Sequence, residues 1–359
     1  AITAGAVTFT VWILVGQGLG FATERLVAVL VIACPHALGL AIPLVASIST
    51  TMAAKNGFFV KRRLALEAAR NITTVLFDKT GTLTQGAFGV TSASSDEVLA
   101  LAAAVEVGSE HPIGKAVVEE ARKRGLLVKK AENFKRIPGV GAEASVEGLR
   151  VFVGHKGGSD IVIEVDGEQV GVIGVADTVR PEAREAIETL KRMGVSITMI
   201  TGDSEEVAQS VANELGIDEY FARVRPEEKS EKVKLLQSQG KRVAMVGDGV
   251  NDAPALTQAD LGIAIGAGTN VAIESAGIIL VKNDPRDIPK IIELSRLTYA
   301  KMIQNLFWAT GYNVLALPIA AGALAVYGIM LQPAVAAVFM SASTVIVAFN
   351  AVLLRRKVL

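Results

Sequence analysis

Val75-Leu76-Phe77-Asp78-Lys79-Thr80-Gly81-Thr82 is the stretch from which the fold of this chain can be read. The apolar run predicts a buried strand, and Asp78 stands at its tip. A carboxylate placed there, with a lysine, two hydroxyls and a turn-forming glycine beside it, suits an aspartyl-phosphate site. The carboxylate is the nucleophile, the cation offsets phosphate charge, and the hydroxyls wrap the oxygens.

Two later apolar runs end in the same manner. Residues 196–200 lead into Thr201-Gly202-Asp203, and 243–246 lead into Gly247-Asp248-Gly249-Val250-Asn251-Asp252. Helical patterns lie between them: 181–193, stopped by Gly194, and 204–215, opened by Ser204 and stopped by Gly216. Strand–helix alternation predicts a parallel sheet with helices on both faces. Ligands bind such sheets beyond the carboxyl ends of the strands, so all three polar clusters are expected in one crevice. There Asp78 attacks a nucleotide γ-phosphate, and Asp248 and Asp252 offer hard oxygens to Mg²⁺. Thr201 and Lys229 hold phosphoryl oxygens, with Arg225-Pro226-Glu227-Glu228-Lys229 as the loop that delivers the lysine. Thr-Gly-Asp alone is equally a turn; the order and spacing of all three clusters point to a site.

The chain has 359 residues, zero net charge and 51% hydrophobic residues. Zero net charge argues against a nucleic-acid partner. Residues 1–23, 26–54 and 302–354 contain no Asp, Glu, Lys or Arg, with Glu24 and Arg25 between the first two runs. A span takes ~20 apolar residues. The first two runs therefore predict one transmembrane helix each, and the last predicts two, turning near 327–333. Buried core helices are the alternative, but uncharged runs of this length are rare in soluble domains. Arg355-Arg356-Lys357, with Lys55, Lys61, Arg62 and Arg63, places the charged middle segment on the cytoplasmic side of a cell membrane. A single Cys excludes an internal disulfide framework. The chain starts with Ala inside an apolar run and reads as a piece of a longer protein; no signal-peptide pattern is present.

Cys34-Pro35-His36 interrupts the second run. A proline in a helix frees a carbonyl, and in lipid such a break persists where a cavity or an ion re-satisfies it. A thiolate and an imidazole beside the break are ligands for a soft or borderline metal. A packed proline kink with an inert Cys is the plainer reading. Residues 88–172 form an insert with helices over 96–107 and 112–124. Strands are expected over 148–154 and 161–175, the latter broken by an Asp166-Gly167 hairpin turn. Ser109-Glu110-His111-Pro112 and Gly139-Val140-Gly141 are weak signals on physics alone.

Taken together, Asp78-Lys79-Thr80-Gly81-Thr82, Thr201-Gly202-Asp203 and Gly247-Asp248-Gly249-Val250-Asn251-Asp252-Ala253-Pro254 resemble the signatures of P-type ATPases across essentially the whole chain. The resemblance implies an α/β haloacid-dehalogenase-like, Rossmann-like phosphorylation domain (55–87 and 173–290) with an inserted α+β nucleotide-binding domain (88–172). Transmembrane helices flank them at 1–54 and 302–354, and 291–301 is a helical linker. It implies Mg²⁺ at Asp78, Thr80, Asp248 and Asp252. The Ser-Glu-His-Pro and Gly-x-Gly motifs resemble the nucleotide site of the heavy-metal (type IB) branch, which implies ATP held by Glu106, His111, Gly139 and Gly141. That branch usually also has a Gly-Asn pair, whereas His155 follows Gly154 here. Cys-Pro-His is similar to the metal-binding span of the subclass associated with copper export. Tyr312, Asn313, Met340, Ser343 and Thr344 match positions that line its ion path. The resemblance implies ATP-driven export of copper, or of silver or another soft metal, across the bilayer, and it admits a copper chaperone as partner. Thr-Gly-Glu, which the family uses for dephosphorylation on an actuator domain, does not occur here; that domain and about four earlier spans are expected upstream. A membrane-tethered haloacid-dehalogenase-like phosphatase is the rival enzyme, and a membrane metal sensor with a degenerate domain the rival non-enzyme. Such phosphatases usually carry a second Asp two residues after the nucleophile, where this chain has Thr80.

Overall fold

The structure is a computed structural model, and it describes residues 1–34, 36–155, 160–248, 251–265 and 270–357. The opening apolar stretch forms three helices, α1 (Ile2–Leu14), α2 (Leu19–Ile32) and α3 (His36–Lys55). Two helices are expected there from the sequence, divided at Glu24 and Arg25. The turn falls instead at 15–18, where Gly16 takes φ +87° and Gly18 caps α2. Glu24 and Arg25 remain inside α2. Arg25 is buried, donates to the Leu331 carbonyl at 2.9 Å and pairs with Glu24 at 2.7 Å. An arginine with partners is tolerated inside, so a charge does not mark a helix end.

From α3 the chain enters β1 (Phe58–Val60), α4 (Arg63–Ala69) and β2 (Thr74–Asp78). The insert follows: β3 (Thr84–Ala93), α5 (Asp96–Glu106), α6 (Pro112–Lys123), β4 (Ala131–Ile137), β5 (Gly141–Val146), β6 (Leu149–Gly154), β7 (Ile161–Val165) and β8 (Glu168–Val179). The first lobe then resumes with α7 (Pro181–Arg192), β9 (Ser196–Ile200), α8 (Glu205–Leu215), β10 (Glu219–Phe221), α9 (Lys229–Ser238), β11 (Val243–Gly247), α10 (Ala253–Gln258), β12 (Leu261–Ile265), α11 (Asn270–Ser275) and β13 (Ile278–Leu280). Helices α12 (Asp287–Ala321) and α13 (Pro333–Val352) close the chain.

The first lobe is one sheet of order β1-β13-β12-β11-β2-β9-β10, parallel except where β1 joins β13. Its central strands β2, β11 and β12 are buried at every position, as apolar runs covered on both faces should be. Helix α8 starts at Ser204, whose side chain accepts from Val207 N, and stops at Gly216 with φ +68°. The insert is an antiparallel sheet of order β3-β8-β7-β6-β5-β4 with α5 and α6 packed on one face. Its β7–β8 hairpin turns on Asp166 and Gly167, both at positive φ.

Two boundaries move. Strands β3 and β8 pair from Thr84↔Val179 onward, so the insert runs from 84 to 179 rather than 88 to 172. Its hinge is tied where Arg180 donates from N to the Leu83 carbonyl at 2.9 Å and from Nε to the Thr84 carbonyl at 2.8 Å. Residues 291–301 are no separate linker but part of the N-terminal half of the 35-residue α12. Among the described residues one helix, Pro333–Arg356, is long and apolar enough to cross a membrane by itself. The other expected spans fall short for visible reasons. Helix α1 has 13 residues, α2 and α3 are separate, and the apolar half of α12 carries Gln304, Asn305 and Asn313.

Candidate functional site

Strand β2 lies between β11 and β9, with Asp78 level with Ile200 and Phe77 level with Val246. Asp78 ends β2, and Thr201 and Asp248 follow the strands on either side, so the three polar clusters meet at one edge of the sheet. Asp78 is 6% exposed. Lys229, the first residue of α9, reaches in from the side. Its Nζ lies 2.7 Å from Asp78 Oδ1 and 2.7 Å from Asp252 Oδ1. The turn before α9 is fixed by Glu228 Oε2 accepting from Arg225 N at 3.0 Å. One ammonium thus serves two buried carboxylates, with Asp248 nearby.

The charge balance follows from that geometry. Burial first, and the Asp252 carboxylate second, push the Asp78 carboxyl up to about 7 against the pull of Lys229. Burial works to lower Lys229, but Asp78 and Asp252 outweigh it and hold the ammonium above its usual range. The crevice carries more negative than positive charge. Lys79 does not relieve it, because its Nζ pairs with Asp203 Oδ2 at 2.8 Å. Thr201 Oγ1 donates to the same Asp203 oxygen at 2.5 Å and accepts from Asp203 N at 3.1 Å. Burial pulls Asp203 upward, yet the bonds from Lys79 and Thr201 keep it below the usual carboxylate range. Gly202 and Thr80 lie exposed on the flanking turns. Gly81 adopts φ +72°, and a Cβ there would lie 3.2 Å from Asp248 Oδ2.

A hard cation fits this donor set. Asp252 Oδ2 is buried without a partner among the described residues, and a Cβ on Gly247 would lie 2.2 Å from it. An unpaired carboxylate oxygen in a crevice of excess negative charge is what a divalent cation neutralises. Among the described residues no three His, Cys, Asp or Glu side chains gather closely enough to enclose an ion. Mg²⁺ suits such a position because it combines carboxylate oxygens with water and phosphate oxygens. Asp252 is engaged by Lys229 through Oδ1, so it faces both the ammonium and the cation position. Gly249 and Val250 lie outside the described residues.

The insert supplies a separate cavity of about 280 Å³. Glu106, His111, Gly139 and Gly141 all line it, at the ends of α5, α6 and the β4–β5 turn. His111 caps α6 by accepting from Ile113 N at 3.3 Å, and its own N donates to Ser109 Oγ at 3.2 Å. Glu106 is buried, and burial raises its carboxyl above the ordinary range despite Ser109 and His111. Gly139 takes φ +74° with open space where a Cβ would point. At Gly141 a Cβ would lie 2.1 Å from the Val153 carbonyl, so only glycine lets β5 and β6 close here. Ile113, Ile137, Val140, Ala142 and Val153 give the cavity apolar walls. Ser109, of the Ser-Glu-His-Pro motif, and Gly154, at the family's Gly-Asn position, line it too, and so does Arg136, which sequence reasoning missed. His155 lines it as well, with its N donating to the Val140 carbonyl at 2.8 Å.

The break between α2 and α3 is bracketed by two packing clusters. Ala28, Val29 and Ile32 of α2 pack with Tyr312 and Ala320 of α12 and Ala336 of α13. Ala37 and Ala41 of α3 pack with Ala309 of α12 and Val347 of α13. In the sequence Cys34 and His36 fall between the residues of the two clusters, as do Met340, Ser343 and Thr344 on α13, while Tyr312 belongs to the first cluster and Asn313 follows it. Cys34 is a half-buried free thiol and His36 is exposed, while Pro35 lies outside the described residues. Asn313 Oδ1 is buried without a partner among the described residues. Ser343 and Thr344 spend their hydroxyls on the Met340 carbonyl, at 2.9 and 3.1 Å.

With the geometry in hand, similarity to known proteins is informative. A haloacid dehalogenase-like hydrolase family model matches residues 72–260. A copper-exporting P-type ATPase B of Archaeoglobus fulgidus is 54% identical over 380 residues, 99% of this chain and 55% of that protein. The crystal structure of a zinc-transporting PIB-type ATPase in the E2.Pi state superposes with a TM-score of 0.87 at 34% identity, over 99% of this chain and 62% of that one. The catalytic domain of a CPx-ATPase, CopB-B, is matched at 35% identity and a TM-score of 0.59, over 68% of this chain and 98% of that domain. The chain spans about half the length of the curated relatives it matches.

Proposed function

The chain belongs to the haloacid dehalogenase-like hydrolases and, within them, to the heavy-metal (type IB) P-type ATPases, and from that premise we propose that it carries the phosphorylation, nucleotide and ion sites of an ATP-driven copper exporter. The single observation behind this reading is the buried triad Asp78–Lys229–Asp252, a nucleophile held beside an ammonium in a crevice short of positive charge. An Asp78 carboxylate oxygen attacks the γ-phosphorus of ATP. The bond from that phosphorus to the β–γ bridging oxygen breaks, and ADP leaves with the electron pair. Lys229 balances the carboxylates before attack and the transferred oxygens after it, with Thr201 at the same edge. Asp78, Thr80, Asp248 and Asp252 are the groups proposed to face Mg²⁺, which when bound neutralises phosphate charge during the transfer. Lys79 orients Asp203 and, through it, the 201–203 turn; Gly202 gives that turn room.

Glu106, His111, Gly139 and Gly141 are proposed to hold the adenosine end of ATP in the insert cavity. Cys34 and His36, with Met340, are proposed to ligate the cargo. Thiolate and thioether donors favour copper(I) or silver(I) over zinc. The 54%-identical relative is named for copper and the 34%-identical structure for zinc, in the direction this donor set suggests. Tyr312, Asn313, Ser343 and Thr344 line the path; Asn313, with its unpartnered buried oxygen, is the best placed. The outward apolar surfaces of α12 and α13, including Phe307, Leu315 and Phe349, suit lipid. We place both lobes on the cytoplasmic side, since Lys61, Arg62 and Arg63 join α3 to the sheet. Mechanical coupling has a short route, because α3 runs directly into edge strand β1 and α12 leaves the same lobe without a break.

The test is metal-dependent ATP hydrolysis and transport by the full-length parent in vesicles, with Cu⁺, Cu²⁺, Ag⁺ and Zn²⁺ in parallel and Cys34→Ala as control. Stimulation by Cu⁺ that vanishes in the control supports the reading. Equal stimulation by Zn²⁺, or a response indifferent to Cys34, removes copper export.

A further inference from the structure

Strand β4 is the free edge of the insert sheet, and one residue on it breaks the apolar pattern of its face. Arg136 pairs across to Ala142, Ala142 to Val153, and Val153 to Ile163. Directly paired residues project to the same face of a sheet. Ala142, Val153 and Ile163 are buried in the core beneath α5. Arg136 is therefore the last member of an apolar row, on the inner face and at the mouth of the cavity. A guanidinium in that place gains nothing from packing and needs water or an anion to satisfy it.

Its neighbours show the contrast. Lys135 lies 4.0 Å from Glu143, and Arg150 lies 2.5 Å from the same carboxylate. Arg136 is exposed and has no carboxylate partner among the described residues, and it lines the cavity beside Gly139 and Gly141. The only acid among the described lining residues, Glu106, belongs to the buried end of α5. The cavity's volume of about 280 Å³ falls just below the ~300–1,000 Å³ that small-molecule pockets span. It has room for a base and sugar, and leaves a nucleotide's charged tail at the mouth.

We propose that Arg136 is the contact for the phosphate chain of a nucleotide whose base and sugar fill the insert cavity, so that this residue sets the preference of the lobe for nucleotides over nucleosides. The proposal rests on the reading of that cavity as the nucleotide site. Arginine suits the role because its planar fork meets phosphate oxygens two at a time.

The experiment is calorimetric binding of adenosine, AMP and ADP to the 359-residue chain in detergent, without substitution and as Arg136→Met and Arg136→Lys. In Arg136→Met the affinity for AMP and ADP falls about tenfold, the size of one charge-assisted contact at an open site, and that for adenosine is unchanged. Arg136→Lys keeps the charge and lies between. In the unsubstituted chain, added salt weakens ADP binding and leaves adenosine binding alone. Equal losses for adenosine and ADP, or no loss for either, overturn the proposal. If Arg136→Met does not fold, the lysine variant and the salt series decide it alone. Failure of the unsubstituted chain to bind any of the three overturns the nucleotide reading as well, an outcome distinct from loss of the phosphate preference.

Discussion

The sheet lobe and the insert both present a pocket, but they build it from opposite materials. In the sheet lobe the working groups are charged, buried and cross-linked: Lys229 between Asp78 and Asp252, and Lys79 against Asp203. In the insert the pocket is apolar, open, and shaped by glycines at places where a side chain would collide. A pocket of the first kind stores electrostatic tension that a bound phosphate and cation relieve. A pocket of the second kind stores almost none, and its affinity depends on shape. Substitutions should therefore act through charge in the crevice, and through shape in the cavity.

The largest expected effect breaks the crevice outright. Lys229→Met leaves Asp78 and Asp252 buried without a cation. Breaking a buried pair from one side costs about 3–5 kcal/mol. Urea unfolding of the sheet lobe at pH 7.5 should show a loss of that order; unchanged stability would mean the triad is not buried as described.

Asp78→Asn should act in the reverse direction. The folded Asp78 carboxyl is raised to about 7, above its unfolded value. The stabilisation from its protonation is fully present below the unfolded value and is lost as pH rises through about 7. The asparagine variant does not titrate, so in nucleotide-free protein it should be the more stable of the two at pH 8, by a few kcal/mol at most. The gap should narrow steadily toward pH 4. A variant less stable than the parent at pH 8 contradicts the charge balance drawn here.

Gly141→Ala examines the cavity. A methyl group 2.1 Å from the Val153 carbonyl must push β5 from β6. Overpacking of this kind costs about 1–3 kcal/mol. That cost should fall on the insert, with ADP affinity down about tenfold or more and the sheet lobe untouched. Glu106→Gln should have the smallest effect. It imitates the protonated acid that burial favours, so its difference from the parent in ADP affinity should shrink as pH falls from 8 toward 5. At pH 8 the glutamine variant should bind ADP at least as tightly as the parent; weaker binding by the variant there assigns the charged form of Glu106 to binding.

The same contrast explains what the sequence disclosed. Parallel strands end in line, so Asp78, Thr201-Gly202-Asp203 and Asp248–Asp252 each appear as a short polar cluster after an apolar run, and their convergence follows from topology. The cavity draws residues from α5, α6, β4, β5 and β6, and each is ordinary alone. Glu106 and His111 stand out only through the family resemblance, and Arg136 carries no local signal. Strand β4 carries no strand signal because 131–137 is largely exposed and polar, with Asn133 at φ +55° in its bulge. In the apolar helices a count of charges put the first turn at Glu24 and Arg25, and glycines put it at 15–18. Arg25 defeats the count because Leu331, across the fold, supplies the carbonyl that lets it stay inside.

Most direct is the mapping of phosphate after mixing the chain with γ-³²P-labelled ATP and Mg²⁺ and quenching in acid. Label stable to acid, released by hydroxylamine and confined to the peptide containing Asp78 is the expected result, with none in Asp78→Asn. Label that persists in Asp78→Asn, or that maps to any other residue, contradicts the account at its root.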